Sequence, residues 1–94
     1  MNFRDFKIDH RYAEVLEKNY IHTPTKIQEK AIPLILAKRD LIGKAQTGTG
    51  KTLAFLLPVF NLIDSGNRHT QALVIVPTRE LADQITEVCR ILSE

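Results

Sequence analysis

Ala45-Gln46-Thr47-Gly48-Thr49-Gly50-Lys51-Thr52 is the stretch whose reading decides the fold. The short apolar run Asp40-Leu41-Ile42-Gly43 precedes it and reads as a strand. The residues after it, from Lys51 to Ile63, are apolar almost all round: Leu53, Ala54, Phe55, Leu56, Leu57, Val59, Phe60 and Leu62. A helix of that kind must be covered on most sides. Strand, glycine-rich turn, Gly-Lys-Thr and helix together form the phosphate-loop pattern, with Ala45 in place of the usual first glycine. Each residue type has a physical task. Gly48 and Gly50 let the backbone curl so that successive N–H groups point inward, with no side chain blocking an anion. The helix that follows adds its free amides and its dipole. Lys51 is placed to reach the β- and γ-phosphates of a nucleotide, and the Thr52 hydroxyl to ligate Mg2+.

Outward from this loop, the chain reads as alternating elements. Ala72-Leu73-Val74-Ile75-Val76 is a continuous β-rich run, as expected of a strand buried on both faces of a parallel sheet. Pro77-Thr78 stops it, and helical spacing runs from about Arg79 to Leu92. Upstream, His10 to Asn19 suggests a short amphipathic helix carrying Tyr12, Ala13, Val15 and Leu16 on one side. Thr25 is a candidate N-cap, with Gln28 three residues later as in a capping box. The helix it opens is expected to reach about Lys38, with Ile27, Ala31, Leu34 and Ile35 facing inward and Pro33 inside it. Strand, helix, strand, helix predicts an α/β fold with parallel strands and flanking helices.

Composition narrows the class without identifying a ligand. In 94 residues, 44% hydrophobic and 26% charged side chains describe an ordinary globular chain. A formal charge of +2 is too mild to argue for nucleic acid, so that case must rest on motifs. Cys89 is the single cysteine, which excludes an internal disulfide or a cysteine zinc site. Leu81, Ile85, Val88 and Leu92 recur around it at helical spacing, so it reads as a structural side chain on an apolar face. The first residues lack a secretion-signal layout, and the apolar stretch 53–63 is too short to span a bilayer. A reducing, cytoplasmic setting with no membrane partner is expected.

Two further stretches leave alternatives open. In Pro24-Thr25-Lys26-Ile27-Gln28, the Gln28 amide offers the planar donor and acceptor that suit adenine N6 and N7. The same residue on a first helical turn serves equally as a cap partner. In Pro77-Thr78-Arg79-Glu80-Leu81-Ala82, a buried run ends where a helix begins. Ligands bind at such carboxyl ends in parallel sheets. Thr78 and Arg79 there can meet an RNA phosphate, or Thr78 can simply cap the helix.

Taken together the three stretches resemble the DEAD-box ATP-dependent RNA helicases. Pro24 to Gln28 is similar to that family's adenine-reading Q motif, Ala45 to Thr52 to its motif I, and Pro77 to Ala82, followed by Gln84, to its motif Ia. Phe3 falls where the family carries an upstream aromatic. The resemblance implies a partial RecA-like phosphate-loop domain. Residues 1–30 would be the Q-motif region and 31–94 the start of the ATP-binding domain. It implies ATP and Mg2+ as cofactors. Ile21, Gln28 and residues 45–52 (Ala45, Gln46, Thr47, Gly48, Thr49, Gly50, Lys51, Thr52) would hold the nucleotide. Lys51 and Thr52 would be catalytic, Thr52 would be the metal ligand, and Thr78 and Arg79 would face the RNA backbone. The family's glycine and aromatic before the Q-motif proline are Tyr20 and Ile21 here, so adenine loses a stacking surface.

No Asp-Glu-Ala-Asp occurs in the 94 residues. In the family this motif supplies the Mg2+ carboxylate and orients the attacking water, so these residues alone are expected to show no meaningful turnover or unwinding. Strands without their neighbours are expected to leave edges open to oligomerisation or aggregation. The rival readings are another phosphate-loop ATPase, and a non-catalytic nucleotide- or RNA-binding module.

Overall fold

The computed structural model describes residues 2–46 and 50–93. A 3-10 turn, Phe3–Asp5, leads into four helices: α1 (His10–Lys18), α2 (Lys26–Leu36), α3 (Lys51–Leu62) and α4 (Arg79–Leu92).

Each helix starts where its local chemistry dictates. The Asp9 carboxylate accepts from Arg11 N–H at 2.9 Å and opens α1. That bond, with the Arg11 guanidinium beside it, holds the carboxyl below its usual range. Thr25 and Gln28 form the expected capping box at the head of α2. Thr78 Oγ1 accepts from Leu81 N–H at 3.2 Å and opens α4. Both α1 and α2 end in a paired closure. Tyr20 N–H and Ile21 N–H bond the carbonyls of Glu17 (3.0 Å) and Leu16 (2.9 Å). Lys38 N–H and Arg39 N–H bond those of Ile35 (2.8 Å) and Leu34 (3.1 Å). This closure needs a left-handed residue, normally glycine. Here Tyr20 and Lys38 take it, both at φ 61°.

The core lies where α2 packs along α3, with α4 and the amino-terminal turn closing over them. It comprises Phe3, Phe6, Leu16, Ile32, Leu53, Leu56, Leu57, Ile85 and Leu92. Ile32 and Leu57 are fully buried. The inward face of α2 is therefore rotated from the expected one. Ala31 and Ile32 are buried, Ile27 and Ile35 are half-buried, and Leu34 is exposed. Tyr12 Oη donates to the Phe60 carbonyl at 3.1 Å, satisfying a group in the last turn of α3. Cys89 is half-buried against the core, on the face assigned to it.

The expected α/β fold is corrected. Among the described residues no strand and no parallel sheet forms. Residues 40–43 and 72–76 are in neither a helix nor a strand, and neither run takes part in a ladder with another described residue. An apolar run sets a strand's tendency, whereas the ladder needs a neighbour about 4.7–4.9 Å away on each side. The consequence is visible in burial. Val76 packs against the core, while Ile42, Leu73 and Ile75 are 90%, 81% and 86% exposed. Of residues 72–76 only Val76 is half-buried, and the other four are exposed.

Candidate nucleotide site

The site is built where the amino-terminal ends of α2 and α3 meet. Gln28, the one buried polar side chain of the described core, is 4% exposed. Its Oε1 accepts from Thr25 N–H at 2.9 Å, which is the return half of the capping box. Its Nε2 donates to the Gly50 carbonyl at 3.1 Å, across 22 residues of sequence. The amide thus ties the head of α2 to the last glycine of the phosphate-loop stretch.

Gly50 accepts this tie only because it is glycine. Its φ of 82° is left-handed, and a Cβ there would fall on Gln28 Nε2 and come within 3.3 Å of Thr25 Oγ1. Gly50 is also the N-cap of α3 and has no side chain to cap it. The first intrahelical bond runs from Ala54 N–H to Gly50 at 3.2 Å. The amides of Lys51, Thr52 and Leu53 have no acceptor within the helix, which leaves a set of donors at its positive end.

Lys51 and Thr52 stand at this end. Lys51 is exposed and Thr52 half-buried. Both border a hollow of about 800 Å3 between α3, residues 73–77 and α4, walled also by Phe55, Pro77, Leu81 and Gln84. The structure therefore brings Lys51 and Thr52 to the same hollow as Pro77, Leu81 and Gln84. Thr78 and Arg79 are not on its wall. The Thr78 hydroxyl is occupied as a cap acceptor, and Arg79 is exposed at the first position of α4.

The remaining predicted positions divide. Ala45 is half-buried beside Thr25 and Ile27, and Gln46 is exposed. Ile21 is half-buried and packs against the core, while the Tyr20 ring is 88% exposed. The tyrosine is turned outward and offers no substitute stacking surface. Thr47, Gly48 and Thr49 lie outside the described residues. Among the described residues no group of three or more His, Cys, Asp or Glu could hold a metal, and no helix is long and apolar enough to cross a membrane.

The capping and adenine-reading alternatives for Gln28 are compatible in bonding terms. An amide has two acceptor lone pairs and two donor hydrogens. Thr25 and Gly50 use one of each, leaving one of each for a ligand. The Gly50 contact was the part invisible to sequence reasoning. Its only signal was the need for a residue without Cβ at position 50.

Comparison with known proteins shows the family to which the chain is similar. The family model for DEAD/DEAH box helicases matches residues 25–94. The chain is 51% identical over 85 residues to DEAD-box ATP-dependent RNA helicase 58, chloroplastic, of Oryza sativa subsp. japonica, covering 90% of this chain and 19% of the relative. It is 49% identical over 85 residues to ATP-dependent RNA helicase CshA of Listeria monocytogenes, covering 90% of this chain and 16% of that one. The chain thus spans less than a fifth of the length of these relatives. A solved DEAD box protein from the hyperthermophile Methanococcus jannaschii superposes with a TM-score of 0.92 at 33% identity, over 98% of this chain and 25% of that one. The RNA helicase Prp28 of Chaetomium thermophilum, solved bound to ADP, gives 0.83 at 38% identity, over 98% of this chain and 24% of its own. The overall backbone path follows these relatives even though no ladder forms among the described residues.

Proposed function

The chain belongs to the DEAD/DEAH box helicase family, and we propose from that membership that it is the ATP-binding part of an ATP-dependent RNA helicase. In this reading residues 1–30 carry the adenine-reading segment and 31–94 the phosphate-binding one. Over its full length such a protein uses ATP to separate RNA strands. In this reading the 94 residues supply the nucleotide's seat, and no Asp-Glu-Ala-Asp stands among them.

The observation that carries the reading is the junction of Gln28 with Gly50. It pins the glycine in the left-handed conformation that opens α3, so the free amides of Lys51, Thr52 and Leu53 start from a fixed point. A phosphate seated there meets backbone donors, the helix dipole and the Lys51 ammonium together. The remaining donor and acceptor of Gln28 are the pair that selects adenine over guanine. The Thr52 hydroxyl, bordering the hollow at the second helical position, fits one ligand position of a Mg2+ that arrives with the triphosphate. That ion, when bound, neutralises charge on the β- and γ-oxygens. Thr78 and Arg79, at the exposed head of α4, are assigned to the RNA backbone.

The test is titration of the chain with a fluorescent ATP analogue, followed by displacement with ATP and with GTP. Lys51→Ala is expected to weaken binding at least tenfold, about 1.4 kcal/mol. Gln28→Ala is expected to abolish the preference for ATP. No turnover is expected from the chain alone. Unchanged affinity in Lys51→Ala would overturn the proposal.

A further inference from the structure

The basic residues of this chain are unevenly distributed. Residues 26–51 hold six of the thirteen (Lys26, Lys30, Lys38, Arg39, Lys44 and Lys51) against two acids, Glu29 and Asp40. The ion pairs of the described residues all lie elsewhere: Arg4–Glu17 at 2.9 Å, Arg11–Asp9 at 3.1 Å and Arg90–Glu87 at 2.8 Å. Three of the unpaired lysines converge. Lys26, Lys30 and Lys44 line one open groove of about 340 Å3, floored by Thr25, Ile27 and Ala45, and no carboxylate lines it. The convergence has a local cause. Lys26 and Lys30 stand one turn apart on the same face of α2, with Cβ atoms about 5–6 Å apart. Gly43 approaches the Ile27 side chain, a Cβ on it lying 3.5 Å from Cδ1, and this brings Lys44 to the other wall.

Folding alone does not account for this placement. Lys26 is the first residue of α2, at the positive end of its dipole, where a cation is disfavoured and an anion favoured. The three lysines are exposed and, among the described residues, bond no carboxylate or carbonyl. No carboxylate lines the groove, so a row of phosphates would meet three positive charges with no acidic side chain among the lining residues to oppose them.

We propose that the Lys26–Lys30–Lys44 groove is a binding track for the phosphate backbone of single-stranded RNA, which shares Ala45 with the nucleotide-holding stretch but is distinct from the hollow at Lys51 and Thr52 and from the Thr78–Arg79 end of α4. The choice of RNA rests on the function proposed above; the lysines themselves require only successive phosphates. Lysine is a point charge without the fork that orients a partner, and no aromatic side chain lines the groove to stack a base. The track therefore holds any sequence and responds strongly to salt.

The experiment is fluorescence anisotropy of a labelled twelve-nucleotide oligouridylate with the 94-residue chain, as a function of salt. Three proteins are compared: the unaltered chain, the triple variant Lys26→Gln/Lys30→Gln/Lys44→Gln, and Lys51→Ala. Three phosphate contacts on a single strand give a salt slope of about 2, at roughly 0.7 each. The triple variant is expected to lose that slope and at least tenfold in affinity at low salt, with its helical circular dichroism unchanged. Lys26→Gln alone should lose about a third of the slope. Saturating ATP and Lys51→Ala should leave RNA binding intact, and inorganic polyphosphate should displace the oligomer. An unchanged slope in the triple variant would overturn the proposal. So would displacement of the oligomer by ATP, which would return the groove to the nucleotide's own site. Loss of ATP binding in Lys51→Ala with retained RNA binding separates this track from the nucleotide reading.

Discussion

Replacing Gly50 by alanine tests the junction on which the proposed nucleotide seat depends. The left-handed backbone at φ 82° disfavours any residue with a Cβ, at about 1–2 kcal/mol. The added methyl occupies the position of Gln28 Nε2, so the amide must swing away and release the Gly50 carbonyl. A hydrogen bond of this kind contributes about 1 kcal/mol net. The Thr25 cap weakens with it, because the same amide closes the box. The expected loss is about 2–3 kcal/mol, a large part of what a small domain has. Urea unfolding followed by helical circular dichroism measures it. The decisive comparison is with Gln28→Ala and the double variant. Removing the amide removes the collision, so Gly50→Ala should cost about 1 kcal/mol less in the Gln28→Ala background. Additive losses, or a Gly50→Ala cost below about 0.5 kcal/mol, would show that the two helix ends are not coupled through this contact.

Tyr20 stands left-handed in a helix closure that favours glycine, with its ring in solvent. Tyr20→Gly should therefore stabilise the chain by about 0.5–1 kcal/mol after the entropy of the unfolded glycine is counted; a lower urea midpoint would contradict this. Leu73 and Ile75 present an exposed apolar edge without a ladder partner. Light scattering at rising concentration should detect self-association that Ile75→Lys suppresses, since a charge on an edge blocks pairing. A chain that stays monomeric throughout would refute it.

Much of the molecule was legible because much of it is local. Thr25 with Gln28, and Thr78 with Leu81, lie within one helical turn, so the caps could be read from spacing. The span of α4 followed from apolar residues at helical period bounded by Pro77-Thr78. The inward face of α2 was harder. Leu34 and Ile32 both fit an apolar stripe, and packing against α3 chose Ile32. The order of the motifs was legible too, since glycines before Gly-Lys-Thr carry their own chemical reason.

The linear order of residues settled what neighbours within a turn can decide: where the capped helices begin, and where a lysine and a hydroxyl follow the last glycine. Folding in three dimensions settled what distant backbones must decide together. It left the runs at 40–43 and 72–76 without a ladder among the described residues, because hydrogen bonds between strands need a second strand beside them. It also joined Gln28 to Gly50 across 22 residues, since a single buried amide is satisfied only by partners that the packing of α2 against α3 brings within reach.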